Sequence, residues 1–365
     1  MIKDEKIDNR QALSLLVINF ISEGLLLAPG VTFLLARQDA WISNIVALAG
    51  GLFSAWCWVS LTSRFPGKTL FEVFLIIFGR YFGTIMAIYY AWGWFNFASD
   101  TTREITSLLV SGLMPRTPLV AFIILFSVTS TFIAYHRLEC IARISVIFLP
   151  FILFIIILLS LLSTREFDLT NLTPVFEKGL LPIFKGSLAP MFWFSQVIEI
   201  SVLLPFLNQP KEALRTSSKG ILLSFFIFEL VAFVTMAILG PDLAAHTLAP
   251  VLYGARMIHL AGFFERLEVL IMVIWIASSI LKITLYHWTV SLGAAQLIGL
   301  DDYRSLIIPI GIFLACFSFF LHPNIPHLYN FMGFVWGGPH GLGYLTLGPF
   351  LFLLWAVITG KGGKP

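Results

Sequence analysis

The sequence predicts an all-α integral membrane protein with about ten transmembrane helices. Hydrophobic residues make up 58% of the chain and charged residues 12%, about half the roughly 25% charged usage of a water-soluble domain. Long runs such as 144–162 carry no charge, and a helix of that length crosses about 30 Å of hydrocarbon. The net charge of +3 provides no basic surface for a nucleic-acid partner. A water-soluble fold is therefore excluded, and membrane lipid is the expected surrounding.

Apolar runs between charged or Pro- and Gly-rich breaks define the transmembrane segments. The predicted spans are 11–35, 41–63, 82–110, 118–135, 141–162, 181–206, 219–239, 264–295, 304–321 and 338–359. The apolar stretch Thr69–Phe78 is too short to cross, so we interpret it as an interfacial or re-entrant helix. The ten spans are expected to form a single transmembrane domain over 1–365, with five spans over about 11–163 and five over about 180–360.

The distribution of Lys and Arg predicts the orientation of these spans. Loops on the side of the N-terminus hold fourteen of these residues and the opposite loops hold seven. Because loops rich in Lys and Arg face the cytoplasm, both termini are expected there. The first span has no small-residue cleavage site, so we expect it to stay in the protein. The outer loop 240–262 is moderately apolar and is expected to pack on the protein as a lid.

Helix-breaking residues interrupt the first span of each half. The first span contains Ser22-Glu23-Gly24 and then Ala28-Pro29-Gly30, and the sixth contains Lys-Gly-Ser-Leu-Ala-Pro over 185–190. Glycine lowers helix stability and proline removes a backbone donor, so these segments are expected to unwind. Unwound backbone at membrane depth lines a cavity, and paired breaks are typical of inverted-repeat transporters with a site at mid-membrane. Proline kinks without a ligand are the alternative interpretation.

Two charged residues inside the spans are candidates for a functional role. Glu23 lies where a carboxylate costs about 3 kcal/mol, so we expect it to be protonated or paired with a base such as Lys282. It would then bind a ligand amine or carry a proton; a structural carboxyl is the alternative. Ser278 and Ser279 precede Lys282 by one turn, so they are candidate cation ligands, or the ammonium replaces the cation. Lys282 can instead extend to the cytoplasmic interface.

Other intramembrane polar residues are candidates either for a polar path or for hydrogen bonds between helices. Asp100 and Glu104 share a helix face at i, i+4, and Arg103 can pair with either carboxylate. The candidates for the polar path are Asp100, Glu104, Gln196 and Glu199, and further polar groups are Asn19, Asn96 and Glu229.

Neither a metal site nor a catalytic motif is predicted. Cys57, Cys140 and Cys316 lack Cys-x-x-Cys spacing. His322 and His327 lie in a Pro-broken loop without the i, i+4 spacing that aligns two metal ligands. The chain has no P-loop, nucleophile elbow or zincin motif. We therefore expect no cofactor and no enzyme activity.

Several motifs carry a resemblance to a known family. They are Arg37-Gln38-Asp39-Ala40-Trp41, Phe65-Pro66-Gly67-Lys68-Thr69, Arg116-Thr117-Pro118, Leu204-Pro205-Phe206-Leu207, and Phe264-Glu265-Arg266-Leu267-Glu268 with Trp275. In their order and spacing, over about 11–304, the chain resembles the endospore germination permease family, the B subunits of nutrient germinant receptors. That family belongs to the amino acid–polyamine–organocation superfamily, so the resemblance implies a LeuT-like five-plus-five inverted repeat with broken first and sixth helices.

The resemblance also implies a function. The B subunit is taken to bind a small nutrient germinant, here expected to be an amino acid, and to signal germination from the spore inner membrane. Its implied partners are an A subunit and a C-subunit lipoprotein. A proton- or sodium-coupled amino acid transporter and a ligand-gated path for water or ions are the alternative functions, because one fold serves all three.

Carried onto this chain, the ligand site would use the two breaks and facing groups of the third and eighth spans. Its residues would be Ser22, Glu23, Gly24, Asn96, Gly186, Ser187 and Leu188. Glu23 departs from the pattern of the superfamily, whose amino-acid transporters hold a carboxylate at a small, Gly-rich first break. A glutamate there would repel a carboxylate, so it is expected to face an amine or a basic side chain.

Overall fold

The computed structural model describes residues 5–22, 24–247, 249–257 and 268–363. Helices form nearly all of this part of the chain. In chain order they are α1 Asn9–Ile21, α2 Gly24–Ala36, α3 Ala40–Thr62, α4 Leu70–Gly112, α5 Leu119–Tyr135, α6 Arg137–Leu162, α7 Leu180–Ser195, α8 Glu199–Leu203, α9 Ala213–His246, α10 Pro250–Arg256, α11 Glu268–Ile298, α12 Arg304–Phe320, α13 Ile325–Asn330, α14 Pro339–Leu342 and α15 Gly348–Ile358.

Seven helices in the described ranges are long and apolar enough to cross a membrane, or eight if the bent pair Arg304–Phe320 and Ile325–Trp336 forms one span. The prediction of about ten spans differs partly because Gly24–Thr62 forms one helical stretch, which contains the end of the first predicted span and all of the second. In addition, α5 has 17 residues, about 25 Å. Within the described residues, each predicted span still coincides with a helix or with consecutive helices, and residues 264–267 of the eighth span lie outside them.

The surface and the interior divide as expected for a membrane protein. The largest fully buried side chains include Trp58, Trp94 and Trp193, and α3 packs on α7 while α4 packs on α11. Large apolar side chains such as Phe132 and Phe320 are instead mostly exposed. Such extensive exposed apolar surface suits contact with lipid rather than with water.

The first break lies where the sequence predicts it. Asp8 caps α1 by accepting a hydrogen bond from the Gln11 amide at 2.7 Å, and the Gln11 side chain accepts one from the Asp8 amide. The helix ends at Ile21 and α2 begins at Gly24, whereas Glu23 lies outside the described residues. Pro29 sits inside α2, so the prediction that Ala28-Pro29-Gly30 unwinds is wrong.

The sixth span breaks about ten residues later than predicted. Helix α7 runs without interruption through Gly186, Ser187, Leu188 and Pro190, and the break is the 3-10 turn Gln196–Ile198. Pro190 has no N–H for the carbonyl of Gly186. The hydroxyl of Thr32 lies 3.3 Å from that carbonyl and 2.8 Å from the Ala28 carbonyl of its own helix, so its single proton is engaged mainly by Ala28. The helix continues past its proline with only this weak contact from α2 at the Gly186 carbonyl.

Two glycines with positive φ bend long helices. Gly79 (φ 79°) separates the predicted short helix, here Leu70–Phe78, from the membrane-spanning part of α4. Gly240 (φ 71°) bends α9, after which its last turns and α10 pack as the predicted lid. Val251, Leu252 and Ala255 of α10 are buried. Leu248 and the rest of the lid from 258 lie outside the described residues.

The N-terminal segment, residues 5–8, binds to the end of the helix bundle at which it lies. The Ile7 amide donates to the Phe206 carbonyl at 2.9 Å, and Ile7 in turn accepts from the Asn208 amide at 2.9 Å. The carboxylate of Glu5 accepts from the Leu138 amide at 3.1 Å and from the Tyr303 hydroxyl at 2.8 Å. Residues 5–8 thus join the start of α6, the start of α12 and the end of the sixth span.

Attachment of this segment is expected to weaken as the pH rises. Burial raises the pKa of Glu5 above its ordinary value of 4.5, so between these two pKa values the attached segment binds more protons than the detached one. The free energy of attachment therefore becomes less favourable across this pH window. Hydrogen exchange of the Ile7 amide, corrected for its intrinsic pH dependence, measures the effect. A Glu5→Gln variant should lose the pH dependence, and an unchanged dependence in that variant would contradict the assignment.

Candidate functional site

The two helix breaks meet at Gly24 and Trp193. A Cβ atom on Gly24 would lie 2.6 Å from Trp193 Cδ1 and 2.9 Å from Phe228 Cζ, well inside the usual carbon–carbon contact distance of about 3.5–4.0 Å. Trp193 lies in the last turn of α7, three residues before Gln196. The start of α2 is thus in direct contact with the end of α7, and any larger residue at position 24 would force the rings of Trp193 and Phe228 to shift.

Gln196 connects the sixth-span break to α11. Its Oε1 atom accepts hydrogen bonds from Lys282 Nζ at 2.8 Å and from the Tyr286 hydroxyl at 3.0 Å. Lys282 is 1% exposed and Gln196 is fully buried, so the alternative in which Lys282 extends to the interface is wrong. The Nε2 atom of Gln196 has no hydrogen-bond partner among the described residues.

Glu199 makes a second link between the sixth span and α11. Its Oε1 atom accepts a hydrogen bond from the Thr289 hydroxyl at 2.6 Å, and the whole side chain is buried. The structure therefore brings Gln196 and Glu199 together with residues of α11, along one side of the sixth-span break. Of the predicted polar path, these are the two members next to a break.

Asp100 is paired differently from the prediction. Its Oδ1 atom lies 2.7 Å from His322 Nε2, and His322 Nδ1 lies 3.0 Å from His327 Nδ1. Arg103, which was expected to pair with Asp100 or Glu104, donates instead to the carbonyl oxygens of His322 at 2.6 Å and Phe319 at 3.2 Å. The outer part of α4 is thus fixed to the segment after α12.

Two further predicted residues, Asn96 of α4 and Ser278 of α11, form hydrogen bonds within their own helices. Asn96 donates to the Trp92 carbonyl at 2.8 Å, and Ser278 donates to the Ile274 carbonyl at 2.8 Å. Ser279 is buried one residue later. Glu104 is buried beside Tyr329. Each hydroxyl oxygen remains available as an acceptor, so Ser278 and Ser279 stay candidate cation ligands.

Three predicted ligand residues lie away from the meeting point of the breaks. Gly186 is ten residues before Gln196, about 15 Å along a helix, and Ser187 and Leu188 follow it. A Cβ atom on Gly186 would lie 2.9 Å from Ala36 Cβ, so this glycine allows close packing of α7 on the end of α2. The hydroxyl of Ser187 donates to the Phe184 carbonyl of its own helix.

Asn19 stands out as a polar residue that the predicted ligand site omitted. It lies one turn before the first break, and Ser22, itself buried, donates its hydroxyl to the Asn19 carbonyl at 3.2 Å. The Asn19 side chain is fully buried, and neither its Oδ1 nor its Nδ2 atom has a hydrogen-bond partner in the described part of the chain. Its depth in the span was the available signal in the sequence.

An apolar cavity of about 50 Å³ adjoins the first break. Leu25, Ile274 and Trp275 line it, together with residues of α6, α9 and α10. Leu25 directly follows Gly24, so the cavity adjoins the start of α2, whereas no described residue of the sixth span lines it. A space of this size holds a few water molecules at most, so a larger guest requires the surrounding helices to move.

Solved structures of similar fold are transporters. MhsT in complex with L-phenylalanine has a TM-score of 0.71 at 10% identity, covering 98% of this chain and 90% of its own. Mhp1, a nucleobase-cation-symport-1 family transporter, has a TM-score of 0.64 at 12% identity, covering 96% and 78%. Identities this low establish the fold alone, and the fold is LeuT-like, as the resemblance implied.

Similar curated proteins come from Bacillus subtilis (strain 168). Spore germination protein KB is 22% identical over 329 residues, covering 89% of this chain and 87% of the relative. Spore germination protein A2 is 25% identical over 318 residues, covering 86% of each. A family model described as "Spore germination protein" matches residues 6–325. This is a family with a permease fold rather than an enzyme family, and the chain belongs to it.

Proposed function

We propose that the chain is the B subunit of a nutrient germinant receptor, which binds a small germinant at mid-membrane and signals germination. The contact between the two helix breaks at Gly24 and Trp193, beside buried polar atoms without partners, carries the proposal. Paired breaks at membrane depth are where transporters of this architecture hold their substrates. Membership of the spore germination protein family supports a role in germination, and the two helix breaks support a germinant site at mid-membrane.

An α-amino acid is the class of germinant that the unpartnered groups favour. Gln196 Nε2 and Trp193 Nε1 are donors without hydrogen-bond partners in the described ranges, and they suit the ligand carboxylate. Asn19 Oδ1 is an unpartnered acceptor in the described ranges and suits the ammonium group. The role expected of Glu23 from the sequence, as a partner of the ligand amine, is compatible with this assignment and stays a proposal.

The apolar cavity next to the first break favours an amino acid with an apolar side chain. It is lined by Leu25, Ile274 and Trp275, with no charged residue in its lining. Burial of an apolar group in this cavity stabilises the complex by about 25 cal/mol per Å². Because the cavity is small, entry of the side chain is coupled to movement of α10 or its neighbours.

Signalling requires a ligand that binds two conformations with different affinities. The hydrogen bond from Lys282 to Gln196 joins a ligand-binding break to α11, so we assign Lys282 to switching rather than to the ligand itself. In this proposal, the chain lies in the spore inner membrane, and the A subunit and the C-subunit lipoprotein respond to its change of conformation. We also propose that the chain consists of two five-span repeats and that both of its termini lie in the cytoplasm.

A coupled amino acid transporter is the second candidate function. The favouring observation is the fold, because solved structures of similar fold include a cation symporter. Ser278 and Ser279 would then contribute oxygen ligands to a sodium ion, or Lys282 would take the place of the ion. A ligand-gated path for water or ions would use Asp100, Glu104 and the polar groups of the sixth span.

Proteoliposomes that contain the purified chain distinguish a receptor from a transporter. With labelled amino acids, we expect saturable binding without accumulation of label under either a proton or a sodium gradient. A Gln196→Leu variant should lose the binding, whereas the exposed Gln209→Leu variant should keep it. Concentrative, ion-dependent uptake by the isolated chain would contradict the receptor function and establish the transporter.

A further inference from the structure

A second cavity, of about 450 Å³, lies apart from the helix breaks. It is bounded by the end of α2, the start of α3, the middle of α9 and the loop before α7. Three aromatic residues line it: Phe33, Trp41 and Phe233. The polar residues in its lining are Gln38 and Glu229. Its volume falls within the range of about 300–1,000 Å³ for small-molecule sites.

The Gln38 side chain provides a fixed, unpartnered acceptor. Its Nε2 atom donates to the Pro174 carbonyl at 2.8 Å and to Glu177 Oε2 at 2.9 Å. Both partners are acceptors, so the nitrogen must occupy that position and the oxygen must point the other way. Gln38 is 4% exposed, and its Oε1 atom has no hydrogen-bond partner in the described ranges.

Glu229 provides a second unpartnered acceptor. Its Oε1 atom is buried without a hydrogen-bond partner among the described residues, while the Asn44 side chain contacts its carboxyl group. The nearby cation of Arg37 is engaged by Asp242. A carboxyl group within a transmembrane helix is costly unless a positive group offsets it. A cationic ligand beside Glu229 would therefore offset this cost.

We propose that this cavity binds a small organic ammonium ion with an apolar body. Both unpartnered polar atoms are acceptors, so the ligand must donate, and an ammonium group donates strongly to a carboxylate. Aromatic rings attract cations through their faces, and three aromatic residues share this lining. The site goes beyond the proposed germinant site, since it lies on other residues and rests on separate observations.

A free amine suits the cavity better than a lipid headgroup. Phosphatidylethanolamine carries the same ammonium group, but its phosphate needs hydrogen-bond donors or cations close by. The unpartnered atoms of Gln38 and Glu229 are acceptors and would repel a phosphate. The neighbouring guanidinium of Arg37 pairs with Asp242 through Nη2; its Nε atom has no hydrogen-bond partner among the described residues, but Arg37 does not line the cavity. The occupant we assign is therefore an amine from solution.

Calorimetric titration of the full chain with 2-phenylethylamine tests the site. The chain is held in nanodiscs of phosphatidylcholine and phosphatidylglycerol, and 2-phenylethanol serves as the neutral probe of similar shape. We expect saturable amine binding, at least tenfold weaker binding of the alcohol, and at least tenfold weaker amine binding in Glu229→Gln, because a hydrogen bond to a charged group is lost. The exposed Glu212→Gln variant should match the wild type.

A second variant and a lipid competition experiment complete the test. The Phe233→Leu variant retains the carboxyl group of Glu229 and removes one aromatic ring, so it should weaken amine binding severalfold. It is the test variant if Glu229→Gln does not fold. Competition by phosphatidylethanolamine in the nanodisc would overturn the assignment to a free amine. No saturable amine binding, equal affinities of amine and alcohol, or wild-type affinity in Glu229→Gln would overturn the site altogether.

Discussion

A Lys282→Met variant is expected to accumulate in the membrane and to require at least tenfold more germinant for half-maximal response. Lys282 Nζ donates to Gln196 Oε1 at 2.8 Å inside the bundle. Methionine keeps most of the volume and removes the charge, so α11 loses its charged hydrogen bond to the sixth-span break. Such a bond contributes about 1.5–3 kcal/mol, and every 1.4 kcal/mol corresponds to a factor of ten. The measurement is the germination dose response of spores that carry the variant.

Binding to the purified chain separates switching from ligand contact. If Lys282 acts in switching, the affinity of the variant for germinant should change far less than its dose response. The Tyr286→Phe variant removes the second donor to Gln196 and should shift the response in the same direction by less, since its hydroxyl is neutral. Lys219→Met, at an exposed lysine, is the matched control. If the Lys282→Met variant changed affinity alone, Lys282 would instead be assigned to the ligand site.

A Gly24→Ala variant is expected to lose at least tenfold in germinant affinity. The added methyl group would lie 2.6 Å from Trp193 Cδ1, so the indole must move from its position between the two breaks. Overpacking of this kind costs about 1–3 kcal/mol. Titration of the purified variant with germinant measures the affinity, and thermal unfolding in detergent measures the accompanying loss of stability.

Two comparisons identify the cause of that loss. Gly343→Ala places a methyl group where no atom lies within 4 Å, so it should leave affinity unchanged. Trp193→Phe combined with Gly24→Ala should destabilise the chain by less than the sum of the single changes, because the smaller ring leaves room for the methyl group. Additive destabilisation, or wild-type affinity in Gly24→Ala, would show that the two breaks do not touch as described.

Local sequence was sufficient to predict features that depend on neighbouring residues. The break at Ser22 and Gly24 was predicted correctly, since α1 ends at Ile21 and α2 begins at Gly24. The break expected over 185–190 was wrong, because α7 continues through Pro190 where it packs on α2, with the Thr32 hydroxyl 3.3 Å from the Gly186 carbonyl across 154 positions. A proline predicts a missing donor, but the sequence does not reveal which distant helix packs there.

Pairing of polar residues shows the same limit. Gln196 and Lys282 were each identified as intramembrane polar groups, yet their contact spans 86 positions and depends on how α7 and α11 are arranged. For Asp100, the search for partners at helical spacing favoured Arg103, whereas the fold supplies His322. His322 had been considered as a metal ligand alone. The identity of buried polar groups was therefore predictable, and their partners were not.

The close packing of α2 on α7 has a mechanical consequence. The two helices meet where Gly186 lets them approach closely, so α2 and α7 are expected to rotate together as one rigid lever. The rotation then occurs about the two helix breaks. A displacement at Gly24 is carried along this lever to Asp39, whose carboxylate holds the Phe176 amide at 3.0 Å. Occupancy of a small central site would thereby reach the far loops without deforming a single helix.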